Sequence, residues 1–274
     1  MSDPRQTPAN ERVAAAHLAE VPGDLRRVDG TPCQVARPVL DLLRAPDGAR
    51  DRQLLWGDTV DVYEDRAGVS FVQARKDGYV GYVDSAALTP AGPVSHWVSA
   101  PASHLYRDAN IKSPERHMLS FGSRVNVVGG AGPLAETSAG FIPRAHLRPI
   151  GETMDDPADV AELFLGTPYL WGGNSRSGLD CSGLVQAALL ACGIGCPGDS
   201  DQQCAALGQL IHQPGDYRRG DLLFWKGHVA MAVDAETLIH ANGSHMSVVL
   251  EPIGSAIRRI MGQGEGPVTA HKRL

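Results

Sequence analysis

The stretch 179–189, LDCSGLVQAAL, sets a cysteine between an aspartate and a serine at the point where an apolar helical pattern begins. Leu184, Val185, Ala188, Leu189 and Cys192 recur at the spacing of one helix face, and Gly193 stands where a left-handed C-terminal residue belongs. The helix is therefore predicted to start at Asp180 or Cys181. A thiol on that first turn lies at the positive end of the helix dipole, beside backbone N–H groups with no partner inside the helix. Both features favour the thiolate. The same N–H groups can hold an oxyanion. Taken alone, Cys181 also fits a buried structural thiol.

Downstream, GDLLFWKGHVAMAV (220–233) and TLIHAN (237–242) read as strands. His228 alternates onto one face with Ala230 and Ala232, which predicts open space beside the imidazole for a cysteine or a substrate. The intervening DAET closes a hairpin and brings His240 to the same open end as His228. A cysteine at a helix N-terminus, a histidine on a strand and a third polar group on the next strand form the layout of a papain-like thiol hydrolase. Each histidine by itself also fits a structural role. Zinc is the weaker reading, because Cys181, His228 and His240 lack the spacing of a zinc protease helix and its attendant base.

Composition narrows the function classes. The 274 residues are 43% hydrophobic, enough for two or three packed domains. A net charge of −6 supplies no basic excess for a phosphate backbone, so no nucleic acid partner is expected. No segment approaches the roughly 18 apolar residues of a membrane span, and the charged N-terminal stretch has no apolar core of leader length. A cytoplasmic protein without a membrane partner is the expectation. Five cysteines, Cys33, Cys181, Cys192, Cys196 and Cys204, form an odd set at no zinc spacing, so neither a disulfide framework nor a metal or other cofactor is expected.

The chain changes character along its length. A polar segment over 1–30 precedes short β-like runs separated by Gly, Asp and Pro turns as far as Pro149. LLWGDTVDVY (54–63) followed by DGYVGYVDSAAL (77–88) is echoed by LSFGSRVNVV (119–128) followed by AGFIPRAHL (139–147). Two small all-β barrels, 31–90 and 93–150, with a short stiff linker around Pro90 and Pro93 account for the echo. From 154 to 274 the pattern becomes α+β, opening with a helix capped by Asp155 or Asp156, started by Pro157 and stopped by Gly166.

GTPYLWGGNSRSGLDCSGLVQ (166–186), PGDSDQQ (197–203) and RRGDLLFWKGHVAMAVDAETLIHANG (218–243), in this order, resemble the NlpC-type cysteine peptidases, which cut peptides of the bacterial cell wall. The two β modules resemble the bacterial SH3-like domains that accompany them. The resemblance implies two SH3-like barrels followed by a papain-like catalytic domain. In it, Cys181 is the nucleophile, His228 the general base and then acid, His240 the polar third member, and Tyr169 a residue near the oxyanion.

Within that family the arrangement is similar to the γ-D-glutamyl-L-diamino-acid endopeptidases of dipeptidyl-peptidase VI type. These act in wall recycling on murein peptides with a free L-alanine amino group. By this resemblance Asp180, Asp58 and Tyr79 hold the substrate ammonium, with Tyr82 competing for the last role, while Ser182 and Ser200 contact the D-glutamyl carboxylate. Asp58 stands where relatives carry glutamate and Gly198 where they carry arginine. Gln202, Gln203, His212 and His245 are candidates for the groove wall.

Overall fold

The computed structural model describes residues 3–21, 24–213 and 215–274. The chain divides into two compact units, Met1–Ile150 and Gly151–Leu274.

In the first unit, Thr31–Pro90 forms a seven-stranded antiparallel barrel. Its interior follows from alternation: in Val39–Leu43 every second residue is buried, so Leu40 and Leu42 meet Val35, Leu54, Val60, Val72 and Val83. A second barrel combines a five-stranded and a three-stranded sheet around Val98, Leu105, Leu119 and Ile142. The sequence echo has a structural counterpart. In each barrel a strand (Val80–Asp84, Gly140–Pro143) runs into a single 3₁₀ turn (Ser85–Ala87, Arg144–His146) and then a last short strand (Leu88–Pro90, Leu147–Pro149).

Gly57 holds the two barrels in contact. Its φ is +78°, and a Cβ there would lie 2.2 Å from the carbonyl oxygen of Arg124, whose N–H donates to the Trp56 carbonyl at 2.7 Å.

The polar segment expected over 1–30 includes residues 1, 2, 22 and 23, which lie outside the described residues. Its described part includes a buried strand pair. Val13–Ala15 pairs in parallel with Arg26–Val28 and is fully buried, with Val13 and Ala15 packed on Tyr63, Phe71 and Val80 of the first barrel. Four apolar residues, Val13 to Ala16, between Arg12 and His17 are too short a run to carry a periodic signal. The bidentate pair of Arg12 with Glu64 locks the segment down.

The second unit opens with α1 (Pro157–Glu162), capped by the Asp156 side chain and started by Pro157, with Gly166 at φ +76° beyond its end. Then come α2 (Cys181–Ala191), α3 (Ser200–Ala206) and α4 (Ile253–Gly262). They pack with a six-stranded sheet that includes Leu222–Trp225, His228–Ala232 and Thr237–Asn242, with Ser247–Pro252 at its edge. Arg219 ties the sheet side to α1 through Asp156, Asp159 and Glu162. No described helix is long and apolar enough to cross a membrane.

The small Ala230 and Ala232 on the face of His228 share one core cluster with Ile253, Ala256 and Ile260 of α4. Small residues on a strand admit whatever is adjacent, and here that is a helix.

Candidate active site

The first turn of α2 is built by a close approach of backbone. Asp180 caps it, one carboxylate oxygen accepting from the Gly183 N–H at 2.6 Å and the Ser182 hydroxyl at 3.1 Å. The other oxygen accepts from the Gly172 N–H at 3.0 Å, so the same side chain pins the 172–173 turn against the helix. A Cβ on Gly183 would sit 2.4 Å from the Gly173 carbonyl oxygen, and one on Gly173 would sit 2.5 Å from that of Gly178. Gly173 and Gly183 are thus required by contact. They set Cys181, 8% exposed, at the N-terminus of the helix.

Cys181, Tyr169, Trp171 and His228 line a cleft of about 420 Å³, together with Asn242, Ser244, Arg259, Gln263 and Glu265. Burial, then the negative charge accessible to Cys181 and the carboxylates of Asp180 and Glu265, push the Tyr169 phenol well above its ordinary range. Its hydroxyl stays protonated and able to donate. Trp171, 68% exposed, forms part of the rim.

Behind the cleft, His228 Nε2 lies 3.0 Å from His240 Nδ1, with the rings 5.2 Å apart. His240 is 0% exposed, and its Nε2 lies 3.1 Å from Glu251 Oε2. Arg259 grips Glu251 with two bonds, Nε to Oε1 at 3.1 Å and Nη2 to Oε2 at 2.7 Å. Burial, then the neighbouring His240 and the Arg259 charge, push His228 down to about 3, with Glu251 opposing. Burial also lowers His240, to about 4, against the pull of Glu251. Both rings are neutral at physiological pH. Burial works to raise the Glu251 carboxyl, but the guanidinium outweighs it and keeps the group below its ordinary value. The nitrogens that face each other cannot also face a shared ion, which counts against zinc on this pair.

A thiol at a helix N-terminus in a cleft with a histidine backed by a second buried histidine is equipped for acyl transfer through a thioester. The NlpC/P60 family profile matches residues 166–260, spanning all of these groups, and a bacterial dipeptidyl-peptidase Sh3 domain profile matches residues 42–88. The γ-D-glutamyl-L-lysine dipeptidyl-peptidase of Bacillus subtilis is 30% identical over 229 residues, 74% of this chain and 75% of that protein. The chain belongs to the NlpC/P60 family. As a member of this family of peptidoglycan hydrolases it is a peptidase with a peptide substrate.

The NlpC/P60 chain is also 32% identical to the peptidoglycan endopeptidase RipB of Mycobacterium tuberculosis, across 139 residues that make up 44% of this chain and 56% of that one. Its fold is like that of an NlpC/P60 family protein from Bacillus cereus, with a TM-score of 0.76 at 20% identity, covering 89% of this chain and 99% of that one. SH3-like β domains followed by an NlpC/P60 domain are the architecture.

The remaining site expectations fare differently. Ser182 is buried behind Cys181 and donates to Asp180, and Ser200 stands half-buried at the start of α3. Gln203 is fully buried and ties α3 to α2 by donating to the carbonyls of Ser182 and Pro197, so it is no part of a groove wall. His212 is exposed, and His245 bonds to the Asn242 side chain.

Asp58 and Tyr79 are both enclosed by the first barrel. Asp58 is 4% exposed, accepts from the Leu55 N–H at 3.0 Å and forms an ion pair with the similarly enclosed Lys76 at 2.7 Å. Tyr79 is 3% exposed within the first barrel's core, and Tyr82 packs on Phe71. A carboxylate already neutralised by a buried ammonium is not a ready acceptor for a second one. Asp180 likewise spends both oxygens on the protein's own donors.

Sequence reasoning missed Glu251 and Arg259. Their separation of eight positions crosses a strand-to-helix junction, where neither strand nor helix periodicity marks partners.

Proposed function

We propose that the protein is a cysteine endopeptidase that cleaves the γ-D-glutamyl–diamino acid bond of short murein peptides with a free N-terminal L-alanine, in cytoplasmic recycling of cell-wall peptides. The observation that carries the reading is the cleft itself, where Cys181 at the start of α2 shares a wall with His228, backed by His240. The finer substrate is supported by the likeness to a γ-D-glutamyl-L-lysine dipeptidyl-peptidase along most of both chains and by the dipeptidyl-peptidase type of the Sh3 match.

In this mechanism neutral His228 takes the Cys181 proton as the sulfur attacks the γ-glutamyl carbonyl. The α2 N-terminal N–H groups and the Tyr169 hydroxyl stabilise the developing oxyanion. His228 returns the proton to the leaving amine, and water attacks the thioester through the same base. His240 orients His228 and itself carries no charge. Ser200, half-buried at the start of α3, is assigned to the D-glutamyl carboxylate end, and Ser182 reaches it only by giving up its bond to Asp180.

Likeness to RipB favours a second reading, a lysin acting on intact peptidoglycan. The deciding experiment offers the protein L-Ala-γ-D-Glu-diaminopimelate, its N-acetylated form and purified sacculi, with products followed by mass spectrometry. Cleavage of the free tripeptide at least tenfold faster than the acetylated one, with sacculi untouched, is the expected result. Release of peptides from sacculi supports the lysin, and tight binding without turnover would make the chain a wall-peptide binding protein.

A further inference from the structure

The hydrogen bonds running inward from the cleft do not stop at the second histidine, and each link has a fixed direction. Arg259 only donates. Glu251, gripped by two of its N–H groups, only accepts. His240 Nε2, 3.1 Å from Glu251 Oε2, therefore carries a hydrogen. In a neutral imidazole the other nitrogen is then bare, so His240 Nδ1 accepts from His228 Nε2 across 3.0 Å. That in turn leaves His228 Nδ1 bare. It is the nitrogen of that ring not engaged with His240.

We propose that Glu251 and Arg259 are positioning residues of this peptidase, fixing the tautomer of His240 and, through it, the tautomer in which His228 can accept the thiol proton. Their role in turnover rests on the thiol-peptidase reading, while the tautomers stand independently of it. The proton passes from Cys181 Sγ to His228 Nδ1, breaking S–H and forming N–H, and leaves a thiolate and an imidazolium. Glu251 stays ionised throughout and supplies the negative charge two links behind the cation. Ser244 and Gln263 take the remaining Nη1 contacts of Arg259, so the guanidinium is held on three sides at the cleft wall.

Glu251→Gln does not test the lock, because the Oε2 position takes the shorter Arg259 bond at 2.7 Å and also faces His240, so the amide keeps its oxygen there and His240 keeps its hydrogen on Nε2. Glu251→Ala removes the acceptor and leaves the Arg259 guanidinium, which only donates, behind the ring. His240 Nε2 is then better bare, with the hydrogen on Nδ1. Donating from Nδ1 to His228 Nε2, it forces His228 into the Nδ1–H form, which is no base toward the thiol.

The test uses ¹⁵N-labelled full-length protein at pH 7.5, reading the ring nitrogens of both histidines by two-bond ¹H–¹⁵N correlation. The wild type is expected to show Nε2–H on both rings. E251A is expected to show Nδ1–H on both, with kcat at least tenfold lower, KM within about twofold, and about tenfold slower iodoacetamide alkylation of Cys181. Nδ1–H on either ring of the wild type overturns the proposal whether or not the variant folds. So does a folded E251A with unchanged tautomers and kcat. The spectra and the alkylation rate need no substrate, so they still decide the tautomers if the peptidase reading fails.

Discussion

Cys181 and Cys192 lie at opposite ends of α2, and their surroundings separate them chemically. Cys192 stands at the C-terminal cap, where burial and the nearby carboxylates of Asp156, Asp155 and Asp159 push its thiol up to about 11. Burial also raises Cys33. At neutral pH iodoacetamide should therefore label Cys181 ahead of both, as peptide mapping after brief exposure will show, and Cys181→Ala should abolish turnover while leaving substrate binding intact. His228→Ala should cost more than His240→Ala, because one ring moves the proton and the other orients it. Equal and mild losses in kcat/KM would dissolve that division. For Asp58 the expectation now concerns stability. Asp58→Ala strands the Lys76 ammonium in a buried site, a loss of about 3–5 kcal/mol that a denaturant titration of the first unit will detect. Unchanged stability with altered selectivity for the free amine would restore Asp58 to substrate recognition.

At the level of elements, the nucleophile is placed by packing of the 172–173 turn on the first turn of α2. Because a Cβ on Gly183 meets the Gly173 carbonyl at 2.4 Å, Gly183→Ala must push the turn and helix apart. The cost should be about 1–3 kcal/mol, with a fall in kcat/KM that exceeds what the lost stability explains, measured by thermal unfolding alongside kinetics. A variant as stable and active as the parent would show that this contact is slack. The hairpin of His228–Ala232 and Thr237–Asn242 does the corresponding work for the base. Its register pairs Met231 with Ile239 and Ala232 with Leu238, which sets the two histidines near each other on one face.

For the molecule as a whole, the buried histidines make acid destabilising. Above their ordinary value of about 6.5 the rings are neutral in both folded and unfolded chains, and they contribute nothing to pH dependence. As the pH falls from there toward the folded values of about 4 and about 3, the unfolded chain takes up protons that the folded one refuses, and stability drops. Glu251 and Asp221, both held low when folded, give up their contribution further down as the pH falls through their folded values. The urea midpoint of the second unit should thus decline between about pH 7 and about pH 4.5, and less so in a His228→Gln, His240→Gln double variant. The fragment Gly151–Leu274, which has its own sheet, helices and core, should unfold cooperatively when expressed alone. A non-cooperative melt would show that the first unit is needed to complete it.

The sequence by itself determined whatever is written in local order. Apolar spacing placed the start of α2 at Asp180 or Cys181, Asp155 or Asp156 with Pro157 placed α1, period-two runs joined by DAET gave the histidine hairpin, and the echo between 54–88 and 119–147 announced two barrels. These signals are legible because helix and strand periods, caps and turns act between residues a few positions apart. Only the tertiary structure decided what distant residues do to one another. It filled the space beside Ala230 and Ala232 with α4, buried Val13–Ala15 against the first barrel, neutralised Asp58 with Lys76, and put Glu251 and Arg259 behind His240. The physical reason is that a side chain's charge state and free hydrogen-bonding capacity depend on which partner reaches it first. That is a matter of three-dimensional packing and of burial, which strengthens every such contact, and no spacing along the chain encodes it.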